Sequence, residues 1–196
     1  MRVLIATTIL VALACAGTTP PTTRYLLPVN VPEGVERIDP PIRVGLARVD
    51  VAPYLDQPGL VVETQVGQIR PASQHQWAEP IALGLQRHLR AELTTALGFG
   101  VSGNPSQRHR WDYAVDVSID RLHGTLAGDA MLVAHWRVTP LQSGRDPVTY
   151  RLAARKPLAA QGYAALLDAE VELTRALATA IADSVQTLRG EAGADQ

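Results

Sequence analysis

Residues 111–122 constrain the fold of this 196-residue chain more than any other stretch. Trp111, Tyr113, Val115, Val117 and Ile119 fall on one side of the run, and Asp112, Asp116, Ser118 and Asp120 on the other. Successive side chains of a strand point to opposite faces, so this period of two predicts a strand buried on one face and solvated on the other. Leu132, Ala134, Trp136 and Val138 then alternate with His135 and Arg137, and Val148, Tyr150 and Leu152 follow Gly144. With Gly124, Gly128 and Gly144 marking the turns, the three runs predict an antiparallel meander.

The preceding residues predict strands over 42–51 and 60–69 and a short edge strand within Arg24-Tyr25-Leu26-Leu27-Pro28. A helix is predicted over 76–97, because Ile81, Leu85, Leu89, Leu93 and Leu97 recur every four residues. Pro80 suits its first turn, where no backbone donor is lost, and Gly98 ends it. A second helix is predicted over 161–188, its stripe running through Leu166, Leu173, Leu177, Ile181, Val185 and Leu188. Helices interspersed with strands place the chain in the α/β class. The expectation is a three-layer α/β/α-like domain with a mixed sheet, two main helices and a C-terminal antiparallel meander.

The N-terminus carries a different signal. Met1-Arg2 is a short positive segment, residues 3–14 are apolar except for Thr7 and Thr8, and Ala12 and Ala14 precede Cys15, the only cysteine. The apolar stretch is too short to span a bilayer and has the layout of a signal peptide. A lone cysteine after it calls for an explanation, and lipidation supplies one: Cys15 becomes the first mature residue, alkylated by diacylglycerol. In Ala12-Leu13-Ala14-Cys15 the leucine stands one place later than in the usual lipobox. Acyl chains in the bilayer gain about 0.8 kcal/mol per buried methylene, which makes such an anchor stable. The expected division is a signal peptide over 1–14, a lipidated Cys15 with a Pro/Thr-rich tether to residue 40, one globular domain over 41–189, and a disordered tail over 190–196.

Removal of residues 1–14 takes Arg2 away and leaves 17 basic against 19 acidic residues, a formal charge of −2. That balance argues against a nucleic-acid binder and against an anionic-lipid surface binder. No metal or cofactor is expected. His75, His88, His109, His123 and His135 lack metal-ligand spacing and read as surface or boundary residues. Asp112, Asp116 and Asp120 share a strand face but stand roughly 13 Å apart, too far to act as a pair. Residues 98–103 match a dinucleotide fingerprint in letters only, since they follow a helix and precede a polar loop. No catalytic residue emerges. Two segments remain conspicuous: Pro53-Tyr54-Leu55-Asp56, which puts an aromatic and an aliphatic residue in a turn, and Trp77-Ala78-Glu79-Pro80 at a helix start. Trp77 could staple the helix start and Glu79 complement its dipole, or this end could be a docking surface. The docking candidates are Tyr54, Leu55, Trp77 and Glu79.

Together, Arg24-Tyr25-Leu26-Leu27, residues 42–51, Ala52-Pro53-Tyr54-Leu55-Asp56-Gln57-Pro58 and Trp77-Ala78-Glu79-Pro80-Ile81 resemble the ABC-type transport auxiliary lipoproteins, the PqiC-like family. Asp112-Tyr113 and Ala134-His135-Trp136 fit the same pattern. The chain departs from it at Leu13 and in having a single tyrosine before Leu26-Leu27. The resemblance implies a non-catalytic lipoprotein on the periplasmic face of the outer membrane, held by Cys15, since Ala16 is not the aspartate of inner-membrane retention. It implies an MCE-domain (mammalian-cell-entry) transport protein as partner and a link to intermembrane lipid traffic and envelope integrity, and leaves a homo-oligomer open. The alternative is a stand-alone lipid- or small-ligand-binding lipoprotein with an apolar pocket under its helices.

Overall fold

A computed structural model describes residues 20–29 and 41–194 of the chain. The signal segment, Cys15 and residues 30–40 of the tether lie outside the described residues. Among the described residues seven strands form one mixed sheet: β1 (Thr23–Tyr25), β2 (Val44–Val51), β3 (Gly59–Gln65), β4 (Gln68–Trp77), β5 (Tyr113–Gly124), β6 (Asp129–Pro140) and β7 (Val148–Pro157). Its order is β1-β4-β3-β5-β6-β7. β2 and β3 share one flank of β5, both parallel to it: β2 pairs with its first half, and Val62 of β3 pairs with Gly124 at its end. The expected antiparallel meander is β5-β6-β7.

Alternation places Tyr113, Val115, Val117 and Ile119 of β5 in the core, where each is at least 92% buried; their exposures are 8%, 0%, 2% and 0%. Both long helices cover that face. In α1 (Ile81–Leu97) the row Ile81, Leu85, Leu89, Leu93 and Leu97 is buried throughout. Burying a leucine fully contributes about 1.5–3 kcal/mol, so this row alone ties α1 to the sheet. Gly98 ends the helix at φ 74°, its N–H donating to the Thr94 carbonyl (3.0 Å). Only a residue without Cβ adopts that left-handed turn freely. α2 (Tyr163–Ala194) lies beside α1 and against β6 and β7. Trp136 Nε1 of β6 donates to Ser184 Oγ of α2 (3.0 Å).

Three expectations change. The strand expected over 60–69 is a hairpin, β3 turning at Gly67 into β4, and β4 takes up residues 70–77, so α1 starts at Ile81 with Pro80 before it. β4 is polar and interrupted by Pro71, with no alternation to reveal it; pairing with β3 and β1 defines it. α2 continues past residue 188 to Ala194, into the segment expected to be an irregular tail. The expected third layer is reduced to a short cover. Among the described residues α1 and α2 pack on each other and on one face, while the other face is covered over β2 by the 3-10 turn at Pro105–Arg110 and by Trp111; Phe99 and Val101 belong with the main core.

That cover places Trp111 unexpectedly. It is 1% exposed yet sits on the face opposite Tyr113 and Val115. It packs over Gly45, where a Cβ would come within 2.2 Å of the indole, and the neighbours Val44 and Leu46 point into the main core. The strand starts only at Tyr113, so alternation does not extend back to residue 111. No helix among the described residues is long and apolar enough to cross a membrane.

Candidate functional site

The two conspicuous sequence segments meet in space. After β2, Ala52 N–H donates to the Ile119 carbonyl (2.9 Å), and Pro53–Leu55 makes one 3-10 turn, with Leu55 N–H donating back to Ala52 (2.8 Å). The fixed φ of Pro53 suits the first position of that turn. Asp56, Gln57 and Pro58 then run past the C-terminal end of β4. Trp77 N–H donates to the Pro58 carbonyl (2.6 Å), and Ala78 N–H to the Tyr25 carbonyl of β1 (2.8 Å). Three chain segments are thereby stitched around a groove of about 370 Å³, lined by Arg24, Asp56, Gln57, Pro58 and residues 76–80.

The four candidate residues divide within this frame. Trp77 and Glu79 line the groove. Trp77 is half-buried, resting on the core while keeping one side open. Glu79 is also partly buried; its carboxylate accepts from Arg87 and lies 3.2 Å from where a Cβ on Gly84 would stand, folded over the first turn of α1. That position favours a negative charge beside the helix N-terminus. Leu55 is only 4% exposed and belongs to the core, so it presents no surface to a partner. Tyr54 turns inward too, its ring edge-on to His123 at 6.0 Å, and burial raises its phenol pKa. Arg24, Gln57 and Pro58 were not singled out from sequence. Gln57 and Pro58 stood next to the tyrosine-leucine-aspartate turn, but Arg24 reaches the groove through parallel pairing with Gln76, which no local pattern reveals.

The groove offers apolar surface at Trp77, Pro58 and Pro80 with charges of both signs at its rim. Such a mixture suits recognition of a polypeptide, where an aromatic anchor sits inside a polar rim.

Four of the five histidines, all but the exposed His109, make contacts within the fold, and two are more buried than expected. His88 (0% exposed) has Nδ1 2.6 Å from the Pro28 carbonyl and Nε2 2.9 Å from Thr174 Oγ1. His123 (5% exposed) has Nδ1 3.0 Å from the Gly124 carbonyl. His75 stacks between Tyr25 and Tyr163, and His135 lies 3.1 Å from Asp120. Among the described residues no three His, Cys, Asp or Glu side chains converge as metal ligands. Asp112 accepts from the Arg43 N–H (2.7 Å) and Asp120 from His135, so two of the three strand aspartates hold local structure.

The family model of the ABC-type transport auxiliary lipoprotein component matches residues 25–182, from β1 through most of α2. The chain belongs to this family. The matched span of the auxiliary component includes both sides of the groove. Its fold is shared with a crystal structure of an uncharacterized protein at 20% identity and TM-score 0.73, covering 84% of this chain and 99% of the other. A Xanthomonas campestris protein of the DUF330 family gives 18% identity and TM-score 0.65, covering 89% and 100%. At such identities the likeness is one of fold. No curated protein matches the auxiliary component significantly.

Proposed function

We propose that this auxiliary lipoprotein is a non-catalytic docking subunit, anchored by lipid on Cys15 at the periplasmic face of the outer membrane. There it receives the end of an MCE-domain protein belonging to an ABC transport system for intermembrane lipid traffic. The observation that carries this reading is the groove between the 3-10 turn and the β4–α1 junction. It joins the two segments most specific to the family resemblance, and its open side is an aromatic anchor rather than a catalytic constellation. Family membership as a transport auxiliary component supports the same reading. In this role the domain supplies position and a contact surface, and transport energy comes from the partner's ATPase.

The test is co-purification of the full-length protein with a co-expressed MCE-domain protein from the same organism. Trp77→Ala and Arg24→Glu are expected to abolish co-purification. Arg24 is exposed, so its variant should unfold within a few degrees of the native protein; Trp77 rests on the core, so its variant is compared at a temperature where it is fully folded. Cys15→Ser is expected to release the protein from the membrane. Retention of the partner by both groove variants would move the docking surface elsewhere. A stand-alone lipid carrier would instead show bound phospholipid in native mass spectra of the purified protein.

A further inference from the structure

We propose that the end of the sheet formed by the β3–β4 and β5–β6 turns lies on the bilayer that holds Cys15, with apolar tips in the interface and arginines against anionic phospholipid headgroups. The inference rests on the lipid-anchor reading above and adds an orientation to it.

The length of chain before the domain is the first support. Thr23 of β1 pairs with His75 of β4, and Thr22 Oγ1 donates to Gln74 Oε1 (3.1 Å). β1 runs parallel to β4, so the chain leading back from Thr22 points along β4 toward the hairpin turn at Gly67. Seven steps separate Thr22 from Cys15, a reach of at most about 25 Å. The β4 residues between Gln74 and that turn span about 23 Å. That reach is enough for Cys15 to draw level with the hairpin tip and scarcely beyond. Within the segment expected from sequence as a tether to residue 40 with a short apolar stretch, residues 23–25 form β1 and Leu27 is buried in the core.

The second support is what stands at that end. Val66, at the tip, is 95% exposed, and Ile69 beside it 37%. β3 runs parallel to β5, so the β5–β6 turn lies at the same end, and it carries Leu126 at 55% exposure. Two neighbouring turns thus hold bulky aliphatic side chains out to solvent, where a soluble surface gains nothing from them. Behind the tips, on the sheet face without helices, Arg121 and Arg155, and further back Arg151, border a groove of about 460 Å³ floored by Met131 and Val133. None of these arginines has a carboxylate partner among the described residues. Apolar tips backed by guanidinium groups match the bilayer interface, with acyl chains below and phosphates above. The formal charge of −2 concealed this, because a sum over the chain says nothing of where the cations gather.

Opposite polarity of the two ends gives the orientation its consequence. The docking groove lies at the C-terminal end of β4, about 30 Å from its hairpin tip. Sitting on its tips, the domain would present the groove away from the anchoring membrane.

The experiment places single thiols by Val66→Cys, Leu126→Cys and Ser143→Cys in the full-length lipidated protein, where Cys15 is blocked by its lipid. Ser143 lies in the β6–β7 turn at the other end of the meander. Each is labelled with an environment-sensitive fluorophore. The protein is reconstituted in phosphatidylethanolamine–phosphatidylglycerol vesicles containing a spin-labelled quencher lipid. Labels at 66 and 126 are expected to shift to the blue and lose emission to the quencher, and the label at 143 to do neither. Protein that floats with the vesicles while all three labels report water overturns the orientation alone. Protein that does not float overturns the lipid anchor as well, so the two failures are distinct.

Discussion

Nδ1 of His88 lies 2.6 Å from the carbonyl oxygen of Pro28, sixty residues away in the chain. A carbonyl only accepts, so Nδ1 carries a proton and donates to it, while Nε2 lies 2.9 Å from Thr174 Oγ1. One buried imidazole thus joins the N-terminal segment, α1 and α2. With Leu27 in the core and β1 on the edge of β4, this link fixes where the N-terminal segment meets the domain.

Replacing this imidazole should loosen that segment first. His88→Leu keeps bulk but leaves the Pro28 carbonyl without its donor, and is expected to cost about 1–3 kcal/mol. Limited proteolysis should show new cleavage within residues 26–29 before the global unfolding transition. Unchanged protection there would mean that β1 and Leu27 hold the segment unaided.

Glu170 and His88 give stability opposite dependences on pH. Glu170 in α2 is 1% exposed, and burial pushes its pKa up to about 8 from 4.5. Between those values the folded state keeps a proton that the unfolded chain releases, so this stability is full below pH 4.5 and is lost as pH rises through 8. Burial lowers the His88 pKa from 6.5. Below 6.5 the unfolded chain takes up a proton that the folded one refuses, so stability is lost as pH falls. From pH 6.5 to 8 only the Glu170 slope acts between these two, and it amounts to about 2 kcal/mol. Glu170→Gln should flatten the urea midpoint over that range. A native protein as stable at pH 8 as at 6.5 would refute the assignment.

What the sequence revealed follows the range of the interactions. β5, β6 and β7 were legible because each pairs with its chain neighbour and buries alternate residues against α2. The leucine row of α1 was legible for the same local reason. β4 was hidden because Gln68–Trp77 carries few apolar residues and Pro71, and its ladder depends on strands remote in sequence. The site was half legible: Trp77 and Glu79 stood out as an odd helix start, but Leu55 looked exposed because a turn conceals which way its side chain points. Arg24 was invisible until β1 found β4.

Leu55 separates packing from docking. It is 4% exposed within the main core, so Leu55→Ala should cost about 2–5 kcal/mol through the lost side chain and the space it leaves. Chemical denaturation would read this directly. Any loss of partner binding in this variant should vanish under conditions where it is fully folded. If binding stays lost in the folded variant, Leu55 shapes the groove through the 3-10 turn.

Gly45 and Trp111 form a pair whose energetics should be strongly non-additive. A Cβ on Gly45 would lie 2.2 Å from the indole, closer than any side chain tolerates, and Trp111 is only 1% exposed. Gly45→Ala should therefore destabilise by about 1–3 kcal/mol or more, because the indole must move out of a packed site. Trp111→Ala alone should cost about 3–5 kcal/mol as a large-to-small change. In the double variant the methyl enters the space the indole has left, so its stability should match or exceed that of Trp111→Ala. Equilibrium unfolding of the four proteins closes the cycle, and residues in direct contact should couple by 0.5–3 kcal/mol. Additive losses would mean that the strand, not the indole, yields to the new methyl. The second face of the sheet would then be softer than its buried tryptophan implies.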